Sequence, residues 1–143
     1  MQTRVHINLP VHNVQRSIAF YQRLFGVPAT TTRDDYANFR LDEPALHLAL
    51  VQLEGAVGSP SQHFGVELFE HTDLADLRQR AVDAGLSVRD EEQISCCYAV
   101  GDKFWAADPD GHEWEFWVRT GTSDTLAPRL PGAEAKTSGS CCG

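Results

Sequence analysis

Apolar and polar residues alternate over residues 4–9 and again over residues 63–68. Such a period of two is typical of a β-strand with one face buried in a core and the other face outside it. In each stretch one histidine, His6 or His63, lies on the polar side. The two histidines are therefore predicted to point away from the core.

Each alternating stretch is followed by apolar residues at helical spacing. Asn13 is predicted to cap a helix that ends at Gly26, and Thr72 to cap a helix that ends at Gly85. The positions predicted to face the core are Val14, Ile18, Tyr21, Leu24 and Phe25 in the first helix, and Leu74, Leu77, Ala81 and Val82 in the second.

Three short strands are predicted after each helix. They cover residues 29–32, 36–41 and 45–52 after the first helix, and residues 86–92, 98–106 and 113–118 after the second, with a hairpin turn at residues 108–111. The chain therefore contains one strand-helix-three-strand unit twice. The repeat is one of element order and of the two histidines, since the residues themselves do not repeat.

The two units are predicted to form one α+β domain over residues 1–119, with module one at 1–53 and module two at 62–119. A stretch rich in Gly, Ser and Pro, residues 53–62, connects them. The chain has 143 residues and 42% hydrophobic composition, which is enough for one core and too little for two ordinary domains.

The net charge and the N-terminal residues limit the classes of function that we expect for this protein. The net charge is -8, with 20 acidic residues against 12 Lys and Arg, which opposes binding to nucleic acid or to an anionic membrane. The chain starts without a long apolar segment. We therefore expect a cytoplasmic protein, monomer or homodimer, that acts on small molecules.

Cys96 and Cys97 are adjacent thiols. A disulfide between them would distort their peptide bond or the S–S torsion, whereas two thiols bind soft ions well. Neighbouring side chains of a regular strand point to opposite faces, so joint binding requires an irregular backbone; otherwise one cysteine is buried and the other exposed. Residues 120–143 are predicted to be a disordered tail. It ends in Cys141 and Cys142, which are either a second capture site or without a role.

Over residues 4–119 these features resemble the vicinal oxygen chelate superfamily of glyoxalases, extradiol dioxygenases and antibiotic-resistance proteins. The resemblance rests on two βαβββ units, a histidine on the first strand of each, and the acidic segment at residues 108–115. Within it, four features are most similar to organoarsenical carbon-arsenic lyases and cadmium-induced proteins: residues 36–39, residues 95–98 with their adjacent cysteines, the pair Asp102-Lys103 and the cysteine-bearing tail.

The resemblance implies a cleft between curved mixed sheets, with a metal held by His6, His63 and Glu115. Each of these residues lies on the side of its own strand that is opposite the apolar side. Two imidazoles and one carboxylate leave coordination positions open, which suits non-haem Fe(II) and oxygen chemistry. Mn(II), Zn(II) and Ni(II) also accept such donors.

Other potential ligands are weaker candidates. His47 lies on the last strand of module one, near the expected counterpart of Glu115. The spacing from His6 to His47 is, however, shorter than the spacing from His63 to Glu115. Glu113 shares the parity of Glu115 and is either a partner of a ligand or a charged rim residue. Solvated turns are predicted for His12, His71 and His112.

The resemblance further implies Fe(II)- and oxygen-dependent cleavage of the carbon-arsenic bond of trivalent organoarsenicals, such as methylarsenite or aromatic arsenicals, to inorganic arsenite. Cys96 and Cys97 would bind arsenic, and Tyr98 would line the pocket or pack. Glu115 and Lys103 are the catalytic candidates. Lys103 would lower the pKa of a thiol or contact an anionic substituent, or it is an ordinary exposed lysine.

Two other classes of protein fit part of this pattern. Another metal enzyme of the superfamily, such as a glyoxalase or a fosfomycin thiol transferase, needs no adjacent thiols. A non-catalytic protein that sequesters arsenic or cadmium would use the cysteines and need no oxygen. Related folds exchange units between chains. The metal site is therefore formed either within one chain or between two subunits, with His6 in one subunit and the pair of His63 and Glu115 in the other.

Overall fold

The computed structural model describes residues 2–58, 63–96 and 99–122, of which 93–96, 99 and 122 are described by their backbone alone. Within these ranges the chain forms ten helices and strands. They are β1 (Val5–Val11), α1 (Val14–Phe25), β2 (Thr31–Thr32), β3 (Tyr36–Leu41), β4 (Leu46–Gln52), β5 (His63–Leu68), α2 (His71–Asp83), β6 (Arg89–Cys96), β7 (Ala99–Ala107) and β8 (Glu113–Thr122).

The strands form two four-stranded sheets of the same topology. The first sheet has the order β1-β4-β3-β2, and the second has the order β5-β8-β7-β6. In each sheet the first strand runs parallel to the last strand of its unit, and the remaining pairs are antiparallel. The predicted pair of βαβββ modules and the α+β class are confirmed.

Helix α1 begins and ends where the sequence predicts. The side chain of Asn13 accepts a hydrogen bond from the backbone N–H of Arg16 at 3.0 Å, which satisfies a donor of the first turn. Gly26 follows the helix with φ +70°, a left-handed conformation that glycine adopts without strain. Local sequence alone therefore sets both ends of α1.

Helix α2 differs from its prediction at the first turn and on one face. It begins at His71, so Thr72 lies inside the first turn, and Glu70 at the cap position makes no side-chain hydrogen bond to the helix. The predicted Thr72 cap is therefore wrong. Val82, predicted to face the core, is 40% exposed, because Ala81 beside it is the residue that faces the sheet.

Two strands of the second sheet have other bounds than expected. β6 covers Arg89–Cys96 rather than residues 86–92. β8 continues to Thr122, into the predicted tail, because its end pairs with β7: Gly121 lies opposite Val100 and Thr122 opposite Ala99. Backbone pairing of this kind needs no apolar side chains, so composition did not reveal it. The rest of the predicted tail lies outside the described residues.

Both sheets and both helices contribute to one hydrophobic core. Tyr21 and Phe25 of α1 lie between the sheets. Their rings are 6.1 and 6.0 Å from Phe39 of the first sheet, and 5.9 and 5.6 Å from Trp114 of the second. Aromatic side chains bury about 150–250 Å² each, so these contacts contribute much of the packing between modules. In the part of the chain that the structure describes, neither helix is long and apolar enough to cross a membrane.

Candidate metal site

His63 and Glu115 lie beside each other on the polar face of the second sheet. Glu115 Oε1 is 3.6 Å from His63 Nε2, although the residue opposite Glu115 in the parallel register is Gly65. A Cβ atom on Gly65 would lie 2.8 Å from Glu115 Cγ, closer than such atoms approach in proteins. Gly65 therefore leaves the space through which Glu115 reaches His63.

Lys103 contacts the other oxygen of the same carboxylate. Its Nζ donates a hydrogen bond to Glu115 Oε2 at 3.1 Å, and its side chain is only 5% exposed. The alternative of an ordinary exposed lysine is therefore wrong. Because a charge-assisted bond holds Oε2, Oε1 is the oxygen that stays available beside His63.

Trp105 forms a wall of this site, although no motif in the sequence indicated it. Its ring centroid is 5.2 Å from that of His63 and 5.4 Å from Lys103 Nζ. Its buried Nε1 has no hydrogen-bond partner among the described residues. The available signal was strand parity, since Trp105 follows Lys103 by two positions on β7 and therefore lies on the same face.

The polar face of the first sheet carries a pair of histidines. His6 and His47 are opposite each other in the parallel register, and their ring centroids are 4.4 Å apart. His6 Nδ1 lies 3.2 Å from the carbonyl oxygen of His47. A carbonyl oxygen only accepts, so this bond places the proton on Nδ1 and leaves the Nε2 lone pair of His6 for a ligand.

Burial, followed by repulsion from the protonated form of His6 and from Arg40 and Arg4, lowers the pKa of His47 below its ordinary value. Both causes disfavour the imidazolium form. A neutral imidazole is the form that binds metals.

The register corrects the expected correspondence between the two modules. The residue opposite the first-strand histidine is His47 in the first sheet and Glu113 in the second. His47 is therefore the counterpart of Glu113, and the position equivalent to Glu115 is Ala49, two residues further along β4. The placement of His47 near the counterpart of Glu115 was wrong by two residues.

The structure thus brings together two groups of predicted site residues. Glu115, His63 and Lys103 form one group on the second sheet, and His6 lies with His47 on the first. Among the described residues, the ligand atoms of His6, His63 and Glu115 do not form a cluster of three within 4.8 Å of one another.

The predicted thiol site lies almost entirely outside the described residues. Cys97, Tyr98, Cys141 and Cys142 fall outside them, and Cys96 is described by its backbone at the end of β6. Their predicted roles in binding arsenic stay predictions.

Asp108, Asp110 and His112 are a group of three potential ligands whose donor atoms do lie within 4.8 Å of one another. Asp108 Oδ1 accepts hydrogen bonds from the backbone N–H groups of Asp110 and His112, at 2.9 and 2.8 Å. Asp108 Oδ2 accepts from the Tyr21 hydroxyl and from His112 Nδ1, both at 2.7 Å. These four bonds use the acceptor sites of Asp108, so this cluster stabilises the fold by joining the hairpin to α1.

The same bonds set the ionisation of the cluster. Burial by itself raises the pKa of Asp108, but the hydrogen bonds from His112 and Tyr21 outweigh it and lower the pKa below its ordinary value. The bond to Asp108 raises the pKa of His112, and burial followed by the Asp108 charge raises the pKa of Tyr21. His112 is only 7% exposed, so its predicted place at a solvated turn is wrong.

The residues on the two polar faces fit a divalent cation better than the Asp108 cluster does. His63 offers a nitrogen 3.6 Å from a carboxylate oxygen that lacks the lysine bond, and the contact of His6 Nδ1 with a carbonyl oxygen leaves His6 Nε2 as the nitrogen for a ligand. Nitrogen and carboxylate oxygen donors together suit first-row divalent metals.

Residues 3–116 match the sequence pattern of the Glyoxalase/Bleomycin resistance protein/Dioxygenase superfamily. The chain belongs to this superfamily. The chain is also 37% identical over 150 residues to a trivalent organoarsenical cleaving enzyme of Thermomonospora curvata, covering 98% of this chain and 99% of that protein. A cadmium-induced protein, CadI, of Mycobacterium tuberculosis is 32% identical over 142 residues, covering 98% of this chain and 93% of CadI.

Solved structures of the superfamily share the fold. A glyoxalase/bleomycin resistance protein/dioxygenase from Alicyclobacillus acidocaldarius superposes with a TM-score of 0.67 at 16% identity, covering 81% of this chain and 90% of that one. The expected vicinal oxygen chelate fold is thereby confirmed, together with the resemblance to organoarsenical cleaving enzymes and CadI.

Proposed function

We propose that this protein cleaves the carbon-arsenic bond of trivalent organoarsenicals, such as methylarsenite and aromatic arsenicals, in a reaction that requires Fe(II) and oxygen. The observation that carries the proposal is the pairing of His63 with Glu115 on a polar sheet face, within a chain 37% identical to a trivalent organoarsenical cleaving enzyme. The products are inorganic arsenite and an oxidised organic fragment.

Cys96 and Cys97 bind the substrate through arsenic. Each thiol gives its proton to one hydroxyl of the arsenical, which leaves as water while an arsenic-sulfur bond forms. Joint binding requires an irregular backbone near these residues, and the register of β6 on β7 shifts between Glu91 and Ile94, shortly before them. Tyr98 lines the substrate pocket.

His6, His63 and Glu115 are the residues that would hold the metal. Bound there, Fe(II) would supply the chemistry with oxygen. Lys103 holds Glu115 Oε2 and so keeps Oε1 turned towards His63. Trp105 covers the His63 ring on one side and limits the access of water.

The reaction of methylarsenite balances with one molecule of oxygen. The carbon-arsenic bond breaks, one oxygen atom ends in arsenite and the other in formaldehyde. The methyl carbon loses the four electrons that oxygen gains, and arsenic stays trivalent. No external reductant is therefore needed.

The test is an anaerobic incubation of Fe(II)-loaded protein with methylarsenite, followed by admission of oxygen and detection of arsenite by mass spectrometry. We expect more arsenite than protein only when iron and oxygen are both present. The double variant Cys96→Ser with Cys97→Ser should lose turnover while it keeps the metal. The matched control, Cys141→Ser with Cys142→Ser, should keep turnover at saturating substrate.

Two outcomes would contradict the proposal. If methylarsenite binds stoichiometrically and is not cleaved, the protein sequesters the arsenical, a role that the relationship to CadI also suggests. If the Cys96 and Cys97 double variant turns over as fast as the wild type on another substrate, the protein is a different metal enzyme of the superfamily.

We place the reaction in the cytoplasm, where thiols stay reduced. The protein works as a monomer or a homodimer. Because His6 lies on a different sheet from His63 and Glu115, the metal site is formed either within one chain or between two chains. Mixing His6→Ala with Glu115→Ala distinguishes a site shared by two chains from a site formed within one chain. Activity returns in the mixture if two chains share one site, and stays absent if each chain closes its own.

A further inference from the structure

Three residues with donor groups lie on the polar face of the first sheet, apart from the His63 and Glu115 pair. His6 and His47 face each other across β1 and β4 with ring centroids 4.4 Å apart. The Nδ1–H of His6 donates to the carbonyl oxygen of His47, which leaves the Nε2 of His6 as an acceptor. Asn38 of β3 lies on the same face, because Ala37 and Phe39 beside it point into the core.

Two buried polar atoms on this face lack a hydrogen-bond partner in the part of the chain that the structure describes. His47 Nε2 and Asn38 Oδ1 make no hydrogen bond to any residue that the structure describes. An unsatisfied buried polar atom is energetically unfavourable, so such atoms usually have a bound water or ion as partner. The Asn38 amide nitrogen donates to the Tyr36 hydroxyl, which turns its oxygen to the other side as a free acceptor.

The spacing on the strands brings these atoms into one area. Asn38 lies opposite Ala49, and His47 precedes Ala49 by two positions on β4, so Asn38 and His47 are diagonal neighbours on one face. Ala49 has no side chain beyond Cβ to fill the space between them. The face therefore offers two imidazole nitrogens and an amide oxygen as donors, and Arg40, which is exposed, lies opposite His47 in the register.

We propose that His6 and His47 form a two-imidazole half-site that binds a borderline divalent cation such as Ni(II), with the Asn38 oxygen beside it. Paired imidazoles favour Zn(II), Ni(II) and Cu(II) over Mg(II) and Ca(II), which prefer oxygen ligands. The inference rests on the proposed function only in taking His6 as a metal ligand. It adds His47, which that function does not use.

The test is calorimetric titration of the full-length protein with Ni(II). We expect His47→Gln to weaken Ni(II) binding by at least about tenfold. The matched control is His12→Gln, which changes an exposed histidine and should leave the affinity unchanged. The same comparison in a His63→Ala, Glu115→Gln background removes the donors of the second sheet. There, His47→Gln should abolish the remaining binding.

Equal Ni(II) affinity of His47→Gln and the wild type would overturn the inference. Thermal melts verify folding, and His47→Asn serves as the second variant if His47→Gln unfolds. The arsenite assay is a separate readout. Ni(II) binding that depends on His47 without arsenite formation refutes the proposed function alone, whereas arsenite formation with unchanged Ni(II) affinity refutes the half-site alone.

Discussion

The two modules have the same strand order and carry different chemical groups on their polar faces. In the first module a histidine faces another histidine, His6 and His47, across parallel strands. In the second module the corresponding position opposite His63 is Glu113, and the carboxylate that reaches His63 comes from Glu115, two residues further along. The same backbone therefore presents two imidazoles on one sheet and an imidazole with a carboxylate on the other.

One missing side chain accounts for much of this difference. Glu115 lies opposite Gly65, and the glycine leaves room for the carboxylate to lean towards His63. At the equivalent positions of the first module Asn8 lies opposite Ala49, which has no side chain long enough to reach a neighbouring strand. A donor set thus depends on the residue opposite a ligand as well as on the ligand itself.

The largest expected effect comes from uncoupling the two modules at Asp108. Asp108→Ala removes a fully buried carboxylate that joins the second module to Tyr21 of the first, and leaves His112 without its partner. We expect the free energy of unfolding to fall by about 3–5 kcal/mol in urea titrations. The control Asp34→Ala changes an exposed carboxylate of the first module and should have little effect. A small loss at Asp108 would mean that packing alone joins the modules.

Glu115→Gln tests the donor set that distinguishes the second module. The substitution removes the charge beside His63 and leaves the buried ammonium of Lys103 unpaired. Arsenite formation and Fe(II) affinity should each fall by more than about a hundredfold. Glu113→Gln is the matched control, since Glu113 is on the same strand and face but bonds Arg89. Equal losses in both variants would show that general charge, and not this one ligand, matters.

Gly65→Ala tests the role of the missing side chain. The new Cβ would be 2.8 Å from Glu115 Cγ and 3.2 Å from Oε1, so the carboxylate must move away from His63. We expect metal affinity, measured by calorimetry, to fall by about tenfold. Gly121→Ala introduces the same methyl group into open space on β8 and should leave metal affinity unchanged. If both variants bind metal like the wild type, Gly65 has no part in placing Glu115.

The smallest expected effect is a pH dependence of stability that belongs to the second module. The bond to Asp108 raises the pKa of His112 in the folded state. This contribution is present below the unfolded pKa of about 6.5 and is lost as pH rises through the folded pKa. The wild type should therefore lose stability from about pH 6 to about pH 8 relative to His112→Gln. Urea titrations at both pH values measure it, with His12→Gln as control; parallel curves would contradict the assignment.

Local patterns in the sequence determined most of the elements and part of the site. The strand alternation, the Asn13 cap and the turn at residues 108–111 depend on neighbouring residues, and the hydrogen bond from Gly111 N–H to the carbonyl oxygen of Asp108 closes that turn at 3.0 Å. Strand parity also placed His63 and Glu115 on faces opposite the core, because side chains alternate wherever a strand forms.

Only the tertiary structure decided which side chains meet. The contact of Lys103 with Glu115 and the burial of His112 against Asp108 each depend on how strands and helices pack. The pairing of His6 with His47 depends on strand register, which spacing along the chain does not fix. The sequence by itself therefore supplied the donors and their faces, and the register and packing of two similar sheets decided their partners.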